Sequence, residues 1–201
     1  ITDSLAYNGL IAIPGLFGGV LVADRLLLIY GEEFVEGATV LGLLILAMLL
    51  YDYQNQLLNA LNAIDRPDLS FRVNLIFVIV NLALNIGLVL QFGWVGAAIA
   101  TVLAATVGLL LAFYYVNRHL EFVVPFGEFG RQLSAAVLMA VVVGGVRLGI
   151  ETVGVLTHNV LIVLVLVSLG ALTYFLSLLA ISQRFRSTVA DNIPNSVPFP
   201  R

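Results

Sequence analysis

The sequence predicts an all-α, polytopic membrane helix bundle with six transmembrane helices, and three observations carry that prediction. Hydrophobic residues make up 61% of the 201-residue chain and charged residues 10%, where a soluble domain carries about 25% charge. Six apolar runs approach the roughly 20 residues that a helix needs to cross about 30 Å of hydrocarbon, far beyond the length of a barrel strand. The chain has no cysteine, which excludes disulfides and thiolate metal sites.

Bounded by charges and by Gly/Pro clusters, the runs place helices near residues 5–30, 38–63, 69–91, 94–117, 130–150 and 159–182,. Together they make one transmembrane domain over 1–183. Residues 184–201 end in STVADNIPNSVPFPR, which has little periodicity and is expected to be a disordered tail,.

The first run contains IPGLFGG, where Pro14 removes a backbone donor and Gly15, Gly18 and Gly19 relax the ladder, so a kink or hinge is expected there,. The second begins apolar, but residues 38–50 span only about 20 Å at roughly 1.5 Å per residue. The helix must therefore continue through its polar half, LLYDYQNQLLNALNAIDRPD. At 100° per residue, Asp52, Asn55, Gln56, Asn59 and Asn62 fall within about a third of the circumference, largely apart from the leucines.

In the third run Asn74, Asn81 and Asn85 stack on one line. The very short FGW, residues 92–94, leads into the fourth, where Gly96, Ala100, Ala104, Gly108 and Ala112 recur every four residues. That small-xxx-small pattern lets backbones approach closely. In the connection before the fifth helix, Phe122, Phe126 and Phe129 surround Pro125 and Gly127, which suits either a segment lying in the headgroup layer or a plain loop,. Arg147 and Glu151, four apart in the fifth helix, suit an interfacial ion pair,.

Six crossings put Arg66, Arg72, Arg118, Arg131, Arg184, Arg186 and Arg201 on one side and leave only Arg25 and Arg147 toward the other. By the positive-inside rule the arginine-bearing side is cytoplasmic, with both ends of the chain inside and the acidic GEEFVEG loop outside. The expected location is the cell membrane.

An ionised Asp near the bilayer centre costs about 2.5–3.5 kcal/mol on insertion scales, so Asp52 is expected to face the bundle interior or a wet cavity. Two readings of the amide-rich faces stay open. Asp52, Asn55, Gln56 and Asn59, with Asn81 and Asn85, could line a path for a polar substrate, or the amides could bond across a packed interface. The depth of Asp52 also makes it a candidate for coupling to protons or a cation. Arg25, near the outer end of the first helix, could snorkel into headgroups or meet an anionic phosphate.

Enzyme signals are absent: no GxSxG, P-loop, GxGxxG after a strand, or HExxH occurs,. His119 and His158 fall on opposite faces in this topology and cannot share a metal. Asp65 and Asp68 could hold a metal–diphosphate, although carboxylates beside Pro67 more simply open a helix. No metal, cofactor or nucleic acid is expected, and the net charge of −3 says little about partners.

Four stretches carry a family resemblance: Ile13-Pro14, LLLIYGEEFVEGA (26–38), LLNALNAIDRPDLS (57–70) and NLALNIGLVLQFGWVGAAIAT (81–101). In this order and spacing the chain resembles the C-terminal part of polysaccharide and lipid-linked-oligosaccharide flippases of the multidrug/oligosaccharidyl-lipid/polysaccharide exporter superfamily. The resemblance implies a two-lobed transporter with a central cavity of alternating access, of which these helices form most of the second lobe. It also implies a lipid-linked oligosaccharide substrate, contact with membrane lipids, an N-terminal lobe that supplies the opposite cavity wall, and no covalent chemistry. A cation-coupled exporter of small molecules shares the architecture. A membrane-embedded glycosyltransferase would need a larger outer loop, and a scaffold without transport activity would use the amides only as glue.

Overall fold

A computed structural model describes residues 2–153 and 158–192, with side chains up to residue 188. Its helices are α1 (Thr2–Leu28), α2 (Ala38–Ala63), α3 (Pro67–His119), α4 (Phe126–Val153), α5 (Asn159–Ile181) and α6 (Gln183–Asn192), with a 3-10 turn at Glu32–Gly37 before α2. No strand occurs among the described residues. Five of the helices are long and apolar enough to cross a membrane.

The third of these carries two crossings, because α3 reverses at Gly93. Its backbone there has φ 57° and ψ −137°, close to the first central position of a type II′ turn, which favours glycine. Three residues on, a Cβ on Gly96 would stand 2.1 Å from the carbonyl oxygen of Leu88, so only a glycine lets the returning backbone pass. At the far end Leu69 and Val73 share a core with Ala112 and Val116. Residues 67–92 (α3a) and 94–119 (α3b) are thus two antiparallel arms, and the bundle has six apolar arms, as the short FGW turn predicts.

Two apolar cores sit on either side of α1. One is built from Val22 of α1, Ala135, Ala136, Met139 and Val143 of α4, and Ile162, Leu166, Tyr174 and Leu178 of α5. The other joins Leu5 of α1 to Leu57, Leu58 and Leu61 of α2 and to the closed α3 hairpin. The small residues of α3b do what their spacing predicts: Gly96, Ala100, Ala104, Gly108 and Ala112 are all buried. Packed between two hairpins, α1 continues as a helix on both sides of Pro14.

The expected irregular tail also differs in its first part. Ser182 caps α6, its hydroxyl accepting from the Phe185 backbone N–H at 3.1 Å, as N-cap serines do. Arg186 donates to the Leu179 carbonyl at 3.0 Å, so the tail sequence closes the open end of α5,. Phe185 stacks on Phe175 with ring centroids 6.0 Å apart. Residues 193–201 lie outside the described residues.

The charges separate by end. Thr2 donates to the Val123 carbonyl at 3.0 Å, Asp3 pairs with Arg184, and Ser182 donates to Glu128 at 2.7 Å. These contacts gather the start of α1, the α3–α4 connection and α6 at one end, with Arg131, Arg184 and Arg186. Through Leu5 and the second core, the α2–α3 turn and the end of α3b, with Arg66, Arg72 and Arg118, belong to the same end. Arg25 and Arg147 meet at the opposite end.

Candidate functional site: an outward amide face and two buried polar junctions

The apolar positions of α2 decide where its polar stripe points. Leu57, Leu58 and Leu61 are at most 4% exposed, and their burial turns the other side of the helix outward. Asp52 and Asn59 are exposed on this chain, as is Asn62, while Asn55 and Gln56 are half-buried. No described residue bonds to the Asp52 carboxylate. Of the two settings expected for Asp52, the interior of the bundle and a wet cavity, the packing of these helices on one another does not supply the first: Asp52 and Asn59 look outward from them. Its neighbours Met48 and Tyr51 line an apolar groove of about 380 Å³ with Phe77 of α3a and Thr101 and Ala105 of α3b.

The buried amide of α2 is one the stripe does not contain. Gln54 is 0% exposed; its Nε2 donates to Asn74 Oδ1 at 3.4 Å, and its Oε1 fits against Gly108, where a Cβ would stand 2.2 Å away. Further along α3a the Asn85 amide donates to the Asn81 side chain at 3.1 Å and to the Asn81 carbonyl at 2.9 Å. Asn85 is thus a donor to Asn81 within one turn, and both stay half-buried. The structure brings Asp52, Asn55, Gln56 and Asn59 onto one face and shows Asn81 and Asn85 as a separate local pair.

Arg25 has partners inside the bundle. Its guanidinium donates to Glu151 at 2.7 Å and to Asn159 at 3.4 Å. Glu151 also accepts from Arg147 at 3.0 Å, and Arg147 holds both oxygens of Asp24, at 2.9 and 2.5 Å, and the Leu21 carbonyl. The i,i+4 pair read from the sequence is one edge of a four-charge network tying α1 to α4 and to the start of α5. Asp24 and Arg25, neighbours in the chain, reach different members of it. With these partners the Arg25 side chain remains 25% exposed beside α4.

At the arginine-bearing end a second polar junction forms where α1, α2, α4 and α5 meet. Glu128 is buried, accepting from Ser182 at 2.7 Å and from Arg131 at 3.2 Å. One turn later Gln132 donates its Nε2 to the Ala6 carbonyl at 2.8 Å. A Cβ on Gly9 would meet Gln132 Oε1 at 2.2 Å and the Tyr53 hydroxyl at 2.7 Å, so the bare glycine face admits both. The Tyr174 hydroxyl lies within electrostatic reach of Tyr53 and Glu128. Sequence reasoning missed this junction because its members come from different helices and no pattern along one helix relates them all. The only local signal was the i,i+4 pairing of Glu128 with Gln132.

The remaining candidates behave as helix-end chemistry. Asp68, in the first turn of α3, accepts from Arg66 at 3.1 Å, and this bond holds the Arg66 guanidinium above its ordinary value. Asp65 takes a positive φ of 57° in the turn, a conformation Asp tolerates better than most residues. Among the described residues no group of three or more His, Asp or Glu side chains could hold a metal.

Comparison with known proteins adds what geometry alone does not. The family model described as lipid II flippase MurJ matches residues 1–170. The chain is similar to a probable flippase, AglR, of Haloferax volcanii, with 36% identity over 200 residues, covering 98% of this chain and 41% of that protein. It is also similar to the probable low-salt glycan biosynthesis flippase Agl15 of the same organism, at 30% identity over 200 residues with the same coverage, 98% and 41%. An uncharacterized membrane protein of Methanocaldococcus jannaschii, MJ1068, matches at 28% identity over 94 residues, 47% of this chain and 18% of that protein. The chain thus spans about two fifths of the length of the two flippase relatives.

Proposed function

The chain belongs to the lipid II flippase MurJ family, and from that premise we propose that it is part of a transporter moving a polyprenyl-linked oligosaccharide or polysaccharide repeat across the membrane by alternating access. The proteins similar to it over nearly its whole length carry flippase names, one of them in glycan biosynthesis. The transported group crosses without covalent change, its sugar–phosphate head in a polar cavity and its lipid tail in the bilayer.

The single structural observation that supports this reading is the outward stripe of α2. Asp52 lies about 21 Å along a helix that starts at Ala38, near mid-membrane at roughly 1.5 Å per residue,. Hydrocarbon against an ionised Asp there would cost about 2.5–3.5 kcal/mol, and against the amides of Asn55, Gln56 and Asn59 more still. A water-filled cavity removes that penalty, and parts of the protein outside this chain, a first lobe, would close it. Asp52, Asn55, Gln56 and Asn59 form its wall, with Asn81 and Asn85 as a flanking pair. Arg25 falls outside the path because Glu151 and Asn159 hold it.

The arginine-rich end is the cytoplasmic one on this reading, placing the start of α1 and α6 inside and the Arg25–Arg147 network outside. The decisive experiment is translocation of a labelled lipid-linked oligosaccharide in proteoliposomes carrying the intact protein. Asp52→Asn combined with Asn59→Ala should slow flipping at least tenfold with expression unchanged. Undiminished flipping, or labelling of a cysteine at position 52 by lipid-phase but not aqueous reagents, would refute the proposal.

A further inference from the structure

Three buried polar atoms meet where α1, α2, α4 and α5 converge, and none has a hydrogen-bond partner among the described residues: Gln132 Oε1, the Tyr53 hydroxyl and the Tyr174 hydroxyl. Gln132 and Tyr174 are each 0% exposed. Orphaned groups this deep are uncommon in native folds, and when they cluster they mark bound water or an ion. The Nε2–Ala6 bond fixes which way the Gln132 amide faces, so Oε1 is presented to the junction.

Room exists beside one of them, Gln132. A cavity of about 10 Å³ is lined by Glu128 and Gln132 of α4 and Ala6 and Leu10 of α1, and is covered by Arg184 and Phe185 of α6. That is about the space one water molecule occupies.

We propose that this junction is a hydration site, in which bound water donates to Gln132 Oε1 and to the Glu128 carboxylate and extends by hydrogen bonds to the hydroxyls of Tyr53 and Tyr174. Water fits the ligand set better than a cation does. Both Glu128 oxygens already accept hydrogen bonds, from Ser182 and Arg131, and Arg184, which lines the same cavity, is paired with Asp3. A sodium or potassium ion would find one unoccupied amide oxygen and no carboxylate oxygen free of other hydrogen bonds. Water can donate to the amide and the carboxylate and exchange either role with the hydroxyls.

The site gives the four-helix junction a joint that can re-form. Direct side-chain bonds would break when the helices shift and leave buried groups unpaired, whereas water can reorient among Gln132, Tyr53 and Tyr174 and keep each satisfied. Ser182 extends the same network to the cap of α6. The inference stands independently of the flippase reading.

Tyr53→Phe and Tyr174→Phe test it in the intact protein in lipid nanodiscs, since each removes only a hydroxyl. Deleting an unpaired hydroxyl should leave the thermal midpoint unchanged or raise it, whereas deleting one that binds water should lower it by about 2–4 °C. The proposal expects the lower midpoint for each variant, less than additive loss in the double variant, and no change when sodium and potassium are replaced by N-methylglucamine. In the unaltered protein, solid-state NMR should show water cross-peaks at the Gln132 side-chain amide. Unchanged or raised midpoints, additive losses, missing cross-peaks, or a midpoint that depends on the alkali cation would overturn it.

Discussion

Charge is handled in opposite ways at two places in this molecule. Where α1 meets α4, Asp24, Arg25, Arg147 and Glu151 all find partners within 3 Å of each other's polar atoms, and a backbone carbonyl joins them. On α2, Asp52 and Asn59 point away from every packed neighbour, and Asp52 has no partner among the described residues. Both places put ionisable groups in a membrane helix. The difference is that the network is internally neutral and complete, so it stabilises the bundle whatever surrounds it, whereas the stripe needs something outside the bundle to be tolerable.

That contrast predicts a separation of effects. The largest concerns transport: Asp52→Asn with Asn59→Ala should lower lipid-linked oligosaccharide flipping at least tenfold while moving the thermal midpoint by less than about 2 °C, the scale of a surface substitution. Equal losses of flipping and stability would erase the distinction. Next comes Arg147→Met, which strands Asp24 and removes the Leu21 contact. With the side chains 23% and 35% exposed, the loss should lie between the exposed and buried limits, about 2 kcal/mol, or about 4–8 °C in midpoint.

Glu151→Gln should cost less, about 1 kcal/mol, because it keeps one acceptor for Arg25 and Arg147 while removing a charge; thermal unfolding against sodium chloride concentration reads both the loss and its screening. Its flipping rate, corrected for folded protein, should match that of the parent. The smallest effect is expected at Arg66→Ala, whose pair with Asp68 is fully exposed: no measurable change in thermal midpoint,. If Arg66→Ala destabilised as much as Arg147→Met, burial would not be what sets the two regions apart.

The α3 hairpin shows how far local sequence reaches. Phe92-Gly93-Trp94 announced a turn, and Gly93 does adopt a backbone that other residues avoid,. The regular small residues of α3b likewise predicted a close-packed face, since a period of four fixes which side of a helix they share. Pro14 lies inside α1 with the helix continuing on both sides of it, where two apolar cores pack against α1 in a way that no local pattern reveals. The beginning of α6 was hidden in a polar tail: Phe185 and Arg186 read as irregular until the end of α5 supplies the surface and carbonyls they bind.

The candidate site was legible to the same depth. Helical periodicity placed Asp52, Asn55, Gln56 and Asn59 on one stripe, because a 100° turn per residue needs no partner to be true. It could not say whether the stripe pointed inward, since that depends on which face of α2 the leucines bury against α1 and α3. It also could not find the Gln132–Tyr53–Tyr174 junction or the second partner of Arg147, which bring together residues from different helices, far apart in the chain.

Composition and periodicity by themselves determined that this chain is a helical membrane protein, how many apolar arms it has and which polar residues share a face, because those properties are summed along one helix at a time. Which polar groups are paired, which are buried and which look outward was decided only by tertiary packing. The reason is that pairing and burial depend on distances between helices, and a side chain acquires those distances only when its neighbours' apolar faces have closed.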